Sequence, residues 1–498
     1  MAINSIGGSN AGLITPLLNL RDQLDDLQTQ LATGKKATTY AGMGVDRGFA
    51  VGLRAQISSL DSYADTITNV NTRLSIAGTT LSRMADIGTE VQSAASSNTL
   101  QLSSSGQTVG QTTAQGALGE MLELLNTQSG DRYLFSGRAT DTPAVASLSD
   151  IMDGVGAKAG LKQVISERLQ ADQGTTGLGR LVISAPTATS VQIAEDASPS
   201  PFGMKLNNVT SSLTGATVTG PAGTPPAISV DLGATNPNDG DKIKYTFNMP
   251  EGTTESIELT ASSATPPPAG SFAIGATSAA TAANLQAALT TAVGNLNNGA
   301  LVAASALAAS DNFFNSSPPL RVGTTPLGSA TTLVPGTSAN TVSWYTGESG
   351  TDPARGTAVA RIDQSLTVQY GARADEQALR WQLQNIAVYA AMTTSPSSPN
   401  ANAQITALNQ RIAANLSPQQ GQQSIQDMEA DFAGAQSAMK AASDRQSQTK
   451  SMMQTMLDSV EGVNNDEVTT QILTLQTNLQ ASYQTTAMLF QTNLLKYL

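Results

Sequence analysis

Leucines repeat at heptad spacing close to the start of this 498-residue chain. In LLNLRDQLDDLQTQLATGKK they recur every three or four residues, the pattern of a helix that packs along another helix. A second series with similar spacing lies near the other end, and because one helix of about 20 residues is marginal alone in water, the two are predicted to pair. The seam positions are Leu17, Leu20, Leu24, Leu27 and Leu31 in the first series and Val468, Ile472, Leu475 and Leu479 in the second.

The first helix is predicted over residues 16–32, with Pro16 in its first turn. The glycine-rich stretch TGKKATTYAGMGVDRG interrupts it and predicts a loop or elbow. Gly34, Gly42 and Gly44 are the residues expected to supply the bends of this elbow. Two paired terminal helices bury one seam and leave further apolar side chains uncovered. These side chains predict a surface for assembly with other molecules.

A second predicted helix carries the same spacing from Ile57 to Leu81. Its predicted seam includes Ala64, Asn71 and Gly78, which are small or polar. This composition favours a bundle face packed by small residues over a strong zipper.

The middle of the chain, from residue 140 to about residue 355, is rich in Thr, Ser, Gly, Pro and Ala. Strands are predicted over residues 242–248 and 256–260, joined by the turn MPEG, and a helix over residues 277–297. Helical character is predicted to resume at Arg355. The fold class is therefore α+β: a long antiparallel helical bundle built from both termini, with mainly β outer domains inserted between them.

Composition excludes several functions. The chain has 26 Lys and Arg against 38 Asp and Glu, a net charge of −12, and no basic cluster, so nucleic acid is not an expected partner. It contains no Cys and no His, which excludes thiol nucleophiles, imidazole bases and the metal sites built from them. No run of about 18 apolar residues occurs, so no membrane partner is expected. The first residues lack a basic and an apolar signal region, which predicts either a cytoplasmic protein or export without a cleaved signal peptide.

Two groups of oxygen-bearing side chains are candidates for a cation site. Asp22, Asp25 and Asp26 share a helix face, and a solvated surface is the favoured interpretation. The stretch NPNDGDK, with Asn238, Asp239 and Asp241 as its oxygen donors, lacks the full calcium-loop pattern and is predicted to be a turn before a strand. GMGVDRG lacks the lysine of a phosphate loop, and no nucleophile motif occurs. We therefore expect no enzyme and no catalytic, metal or cofactor site.

The N-terminal segment resembles the first helix of bacterial flagellins, in which a leucine heptad runs into Leu-(Ser/Ala)-(Ser/Thr)-Gly-(Lys/Arg), here LATGK. The C-terminal VTTQILTLQTNLQASYQTTAMLFQTNLLKYL is similar to the paired terminal helix of that family. The resemblance covers residues 1–140 and 355–498. Within the family, LNTQSGDRYLFSG and the ending LLKYL resemble the hook–filament junction type, which is a hook-associated protein, whereas the long middle insert suits a filament subunit.

This resemblance implies a structural subunit of the bacterial flagellum that self-associates into a tubular axial structure. It implies type III export without a cleaved signal peptide and an extracellular location. The implied partners are copies of the chain, other flagellar axial proteins and an export chaperone. A secreted adhesin or surface-layer protein is the more remote alternative, since it would share the Thr-rich and Ala-rich middle but would not need heptads at both ends.

The resemblance also divides the chain. The expected parts are residues 1–45 as the N-terminal helix of an inner assembly layer, 46–140 as the N-terminal part of a helical stalk, 141–354 as variable and mainly β outer domains, 355–458 as the C-terminal part of the stalk, and 459–498 as the C-terminal helix of the inner layer.

Overall fold

The fold was obtained as a computed structural model, which describes residues 6–97, 99–323 and 325–494. The α-helices of these residues are α1 (Ile6–Thr33), α2 (Arg47–Ser96), α3 (Val109–Leu125), α4 (Leu148–Asp153), α5 (Leu161–Gln173), α6 (Ser278–Asn298), α7 (Ala300–Asn315), α8 (Gln377–Ala391), α9 (Ala401–Asn415), α10 (Ile425–Glu461) and α11 (Asn465–Leu494).

The strands lie between the long terminal helices. They are β1 (Gln128–Ser129), β2 (Arg132–Tyr133), β3 (Gly154–Val155), β4 (Lys158–Ala159), β5 (Leu181–Ser184), β6 (Ser190–Glu195), β7 (Lys205–Ser211), β8 (Thr217–Ala222), β9 (Ala227–Asp231), β10 (Lys242–Asn248), β11 (Thr254–Ser262), β12 (Ser271–Ala273), β13 (Leu320–Val322), β14 (Leu333–Pro335), β15 (Val359–Arg361) and β16 (Thr367–Gln369). The predicted α+β class, with long helices from both ends and sheets between them, is confirmed.

Helix α2 buries part of the predicted heptad series, namely Ile67, Leu74 and Leu81. Three other predicted positions are wrong, since Asn71 and Gly78 are only half-buried and Ala64 is exposed. Val70 and Ala77, one residue before Asn71 and Gly78, are buried in their place. These two residues are apolar, so the buried face is less diluted by polar residues than predicted.

The described residues form two compact units, and each is considered by itself. The terminal unit comprises the described parts of Met1–Asn71, Ala360–Val368 and Gln436–Leu498. In it, α1 contacts α11, and the start of α2 packs on the end of α10 through Ala50, Leu53 and Leu457. The central unit comprises Thr72–Val359 and Gln369–Ala435.

Two four-stranded sheets supply much of the core of the central unit. Their strand orders are β5-β6-β9-β8 and β12-β11-β10-β7. In β10 every second residue is buried, with Ile243, Tyr245 and Phe247 facing the core, as a half-exposed strand requires. Helix α6 covers this core with Leu285 and Leu289. The predicted strand over residues 242–248, its hairpin partner and the helix α6 are all present.

Helix α7 was not predicted. Residues 301–310 are buried without a polar face, because α5, α6, α8 and α9 contact the helix from several sides. A helix that is buried all round has no amphipathic period, and this is the signal on which a sequence-based assignment depends. The expected mainly β middle therefore also contains α4, α5, α6 and α7.

Two predicted helix starts are wrong. Pro16 lies inside α1, which begins at Ile6, and not in its first turn. Residues from Arg355 onward first form a short 3-10 turn and the hairpin β15–β16, and helix α8 begins only at Gln377. Ala360, Ile362 and Val368 are buried in this stretch at even spacing, which is the strand period rather than the helical one.

Candidate assembly surface

The two terminal helices pack against each other. Backbone hydrogen bonds join the end of α1 to the start of α11: the amide of Val463 donates to the carbonyl oxygen of Gly34 at 3.1 Å, and the amide of Lys36 donates to that of Glu461 at 2.7 Å. Since α1 ends where α11 begins and the two helices contact each other, they run antiparallel. The pairing predicted from the two heptad series is thus the arrangement that the structure adopts.

Most of the predicted seam positions lie on the inner faces of this pair. On α11, Val468, Ile472 and Leu479 are buried and Leu475 is half-buried. The half-buried positions on α1 are Leu17, Leu20, Leu24 and Leu27. Leu31 departs from the series, since 39% of its surface is exposed near the end of α1.

The same helices leave other large apolar side chains uncovered. Leu18 on α1 is 53% exposed, and Leu473 and Tyr483 on α11 are 60% and 57% exposed. Near the elbow, Val45 is 98% exposed and Phe49 is 50% exposed. Large apolar side chains left this exposed are candidates for a surface that another molecule covers.

The polar residues of α11 suit burial against another molecule. Its sequence carries no charge from Gln471 to Leu495, so covering this face removes no ion from water. Many of its threonine hydroxyls donate to the carbonyl oxygen four residues earlier, at 2.6–2.9 Å, and so already have a hydrogen-bond partner. These threonines are Thr469, Thr470, Thr474, Thr477, Thr485 and Thr486.

Each of the three predicted elbow glycines has its own structural reason. Gly34 has φ +67° directly after α1, the left-handed conformation in which many helices end. Gly44 has φ 57° and ψ −125°, which breaks the 3-10 turn Tyr40–Asp46 into two parts. A Cβ on Gly42 would lie 2.9 Å from the Cβ of Ala37, so a side chain there needs a local shift.

Glu461, which no sequence pattern singles out, connects the parts of the elbow. Its carboxylate accepts from Nε and a terminal nitrogen of Arg54 at 2.9 and 2.6 Å, and Lys35 lies 3.7 Å away. Only 9% of the Glu461 side chain is exposed. The bidentate contact raises the pKa of the Arg54 guanidinium, which also lies over the ring of Tyr40 at 5.6 Å. Residues 407 apart in the chain meet here, and no local pattern signals such a pair.

The candidate cation groups are occupied otherwise or exposed. Asp22, Asp25 and Asp26 are exposed on α1. Asp239 accepts from the amide of Ser263 at 2.6 Å, and Asp241 accepts from the amide of Asn238 at 2.8 Å, so this stretch is the predicted turn before β10. Within the described residues no group of three acidic side chains is arranged to hold a metal ion.

The segment LNTQSGDRYLFSG forms a short hairpin and then joins a distant part of the central unit. After β1 and β2, Phe135 is fully buried, and its carbonyl oxygen accepts from the amide of Ala374 at 2.8 Å. The amide of Gly137 donates to the carbonyl oxygen of Ala372 at 3.2 Å. The end of this segment is therefore held by residues that follow the middle of the chain.

Comparison with protein-family models identifies part of the chain. A protein-family model for the bacterial flagellin N-terminal helical region matches residues 13–140, roughly a quarter of the chain. This match supports a flagellin-type structural subunit, a class that is structural rather than enzymatic. No curated protein matches the chain. Among the described residues, every helix is too short or too polar to cross a lipid bilayer.

Proposed function

We infer from its flagellin-type N-terminal region and its paired terminal helices that the chain self-associates into a tubular axial structure of the bacterial flagellum. The observation that carries this proposal is the pairing of α1 with α11, which leaves apolar side chains such as Leu18 and Leu473 uncovered. In the assembly, neighbouring copies cover these side chains and bury them from water. The role proposed for the chain is mechanical.

The proposed arrangement places the terminal helices innermost. Residues 1–45 and 459–498 form the layer around the axis, and residues 46–140 and 355–458 form the next layer. Residues 141–354 face outward. The uncharged face of α11 supports this order, because identical helices can pack closely there without desolvating ions.

We further propose that the chain acts at the hook–filament junction, as a hook-associated protein. The support is the segment LNTQSGDRYLFSG, which resembles the junction type in sequence and contains the buried Phe135. The ending LLKYL, the other junction-like feature, lies outside the described residues apart from Leu494. The alternative within the family is a filament subunit, which the long outer insert favours.

Export and partners follow from the same proposal. The chain leaves the cell through the flagellar type III channel without a cleaved signal peptide and is located outside the cell. Its partners are copies of itself, flagellin and a hook-associated protein along the axis, and an export chaperone before secretion.

Electron microscopy of the purified chain tests the proposal. The chain is incubated alone, with isolated hooks and with short flagellin filaments as seeds. A short ordered cap on hook ends, without growth of the chain alone or from filament seeds, is the expected result. Long tubes grown from the chain alone or from filament seeds would instead identify a filament subunit. Monomers in all three samples, with α1 and α11 protected from proteolysis, would contradict assembly altogether.

A further inference from the structure

A cleft of about 380 Å³ lies in the central unit, among α7, α8, α9 and the turn between β10 and β11. This volume falls within the range of small-ligand sites. The proposed assembly assigns no task to it. The side chains that line it include Glu251, Asp311, Trp381 and Arg411.

Glu251 brings an unsatisfied hydrogen-bond acceptor to this cleft. Its side chain is only 9% exposed, and its Oε1 accepts from Nε of Arg411 and from Oγ1 of Thr253, both at 2.7 Å. Its Oε2 is buried and has no hydrogen-bond partner within the described structure. A buried carboxylate oxygen without a partner is strongly unfavourable, so the site calls for a ligand that donates a hydrogen bond.

The charges around the cleft exclude an anionic ligand. The guanidinium of Arg411 is already held by Glu251 and by Glu255, the latter at 3.0 Å. The other guanidinium of the lining, that of Arg168, is paired with Asp172 at 2.8 Å. Asp311 is exposed, and its Oδ1 accepts from Asn315 at 2.7 Å. Both guanidinium groups of the lining are therefore engaged by carboxylates, whereas Oε2 of Glu251 is left as an acceptor for a ligand.

Trp381 joins this cleft to a second one, of about 260 Å³, since Trp381 and Asn415 line both. The indole Nε1 donates to the carbonyl oxygen of Asn415 at 2.7 Å, which fixes the ring. The lining residues of the second cleft include no charged side chain and several amides, among them Gln92, Gln422 and Gln426. Amides both donate and accept, as hydroxyl groups do, whereas a basic peptide would find no counter-charge there.

We propose that the two clefts together bind a short oligosaccharide. One sugar ring lies against the indole of Trp381, and a hydroxyl group donates to Oε2 of Glu251. The next sugar lies in the second cleft, where its hydroxyls exchange hydrogen bonds with the glutamine amides. This site goes beyond the proposed structural function and does not depend on assembly.

Tryptophan fluorescence of the full chain provides the test. The chain has two tryptophans, and Trp344 is buried against Phe314 and Tyr345, so the variant Trp344→Phe leaves Trp381 as the only reporter. Its near-ultraviolet circular dichroism first checks that it is folded. It is then titrated with millimolar cellotetraose, maltotetraose and chitotetraose, and with tetralysine. A saturable change with at least one of the three sugars, and none with tetralysine, is expected.

Two matched variants locate the site. Both Glu251 and Glu255 contact Arg411, but only Glu251 lines the cleft. Glu251→Gln removes the negative charge and puts an amide in place of the carboxylate that holds the free acceptor. It is expected to weaken sugar binding about tenfold or more. Glu255→Gln is expected to change sugar binding by about twofold or less. The proposal is overturned if no sugar binds, if tetralysine binds instead, or if both variants weaken binding equally. A fluorescence change with protein concentration alone would identify a second copy of the chain as the occupant, which also overturns it.

Discussion

Glu461 lies where the two connections of the elbow meet. Its backbone carbonyl accepts from Lys36, and its carboxylate holds the guanidinium of Arg54 with two hydrogen bonds. Because the side chain is only 9% exposed, its oxygens have little access to water that replaces a lost partner. One residue thus connects the start of α2, the end of α10 and the chain that follows α1.

Glu461→Gln is therefore expected to loosen the elbow. The amide of glutamine keeps one acceptor, but its NH2 group is a donor that cannot bind the guanidinium of Arg54. Loss of one partly buried hydrogen bond to a charged group costs about 1–3 kcal/mol. Hydrogen exchange of the amides of Lys36 and Val463 should become about tenfold to a hundredfold faster. The control is Glu120→Gln, which breaks the exposed pair of Arg83 and Glu120 and should change exchange little. Equal effects of the two variants would contradict the role given to Glu461.

Residues such as Glu461 and Glu251 could not be found from the sequence. Their importance comes from burial beside Arg54 and Arg411, and these partners are 407 and 160 residues away. A glutamate that ends a helix or sits in a turn has the same local pattern as many solvated ones. The seam leucines, by contrast, can be recognised from their spacing alone, because the helical period places them on one face.

The elbow is an element whose bend depends on Gly44. Its φ of 57° with ψ −125° is a conformation that residues with a Cβ rarely adopt. Gly44→Ala meets no neighbouring atom within 4 Å, so its whole effect is backbone strain, expected to be about 1–3 kcal/mol. Hydrogen exchange of the amide of Gly42, which donates to Thr39 across the turn, reports the loss.

Gly48→Ala is the matched control for this strain. Gly48 lies in the first turn of α2, also without a neighbour within 4 Å, but with ordinary helical backbone. Alanine favours a helix over glycine by up to about 1 kcal/mol, so this variant should be neutral or slightly more stable. A similar destabilisation by both substitutions would mean that Gly44 is not specially required.

The turns of the sheets depend on aspartates that accept backbone hydrogen bonds. The amide of Thr214 donates to Asp241 at 2.8 Å and lowers the pKa of its carboxyl, and the amide of Ser263 does the same for Asp239. A carboxyl whose pKa is lower in the folded than in the unfolded state stabilises the fold above the unfolded value of about 3.9. That stabilisation is lost as the pH falls from there through the lowered folded pKa.

Asp241→Asn should therefore change the response to acid. The variant is expected to melt at a lower temperature than the natural chain at pH near 7 and to lose less stability on acidification below about pH 4. Thermal melts followed by circular dichroism across this range measure both effects. Asp131→Asn serves as the control, because Asp131 is an exposed turn residue whose carboxylate has no hydrogen-bond partner among the described residues. An acid response of Asp241→Asn equal to that of the natural chain would exclude this role.

Sequence patterns predicted the helices and strands that have one face exposed to solvent and one face buried in the core. The strand β10 and the helix α6 have such faces, and both were found. Helix α7 has no face exposed to solvent over residues 301–310, so it was missed. The hairpin β15–β16 was also missed, because the helical pattern that follows it was extended back to Arg355. On α2 the predicted seam is wrong at Ala64 and Gly78, because a small residue on the surface fits the helical period as well as a small residue of the core does.

At the scale of the whole molecule, the exposed apolar helices and the main core lie in different units. The terminal unit holds the paired helices with uncovered apolar side chains, whereas the central unit has its own core of sheets and helices. A change confined to the pair of α1 and α11 should therefore affect assembly and leave the central unit folded. This separation makes the assembly proposal testable by a single substitution.

Leu24→Asp is that substitution. Leu24 is half-buried on the face of α1 that packs on α11, and an unpaired charge placed there costs several kcal/mol. The ordered cap on hook ends should be lost, while the thermal unfolding of the central unit stays unchanged. Gln28→Asp adds the same charge at an exposed position of α1. A chain with this substitution should form the cap on hook ends better than a chain with Leu24→Asp. Bacteria that swim normally with Leu24→Asp as their only copy would show that the seam does not drive assembly.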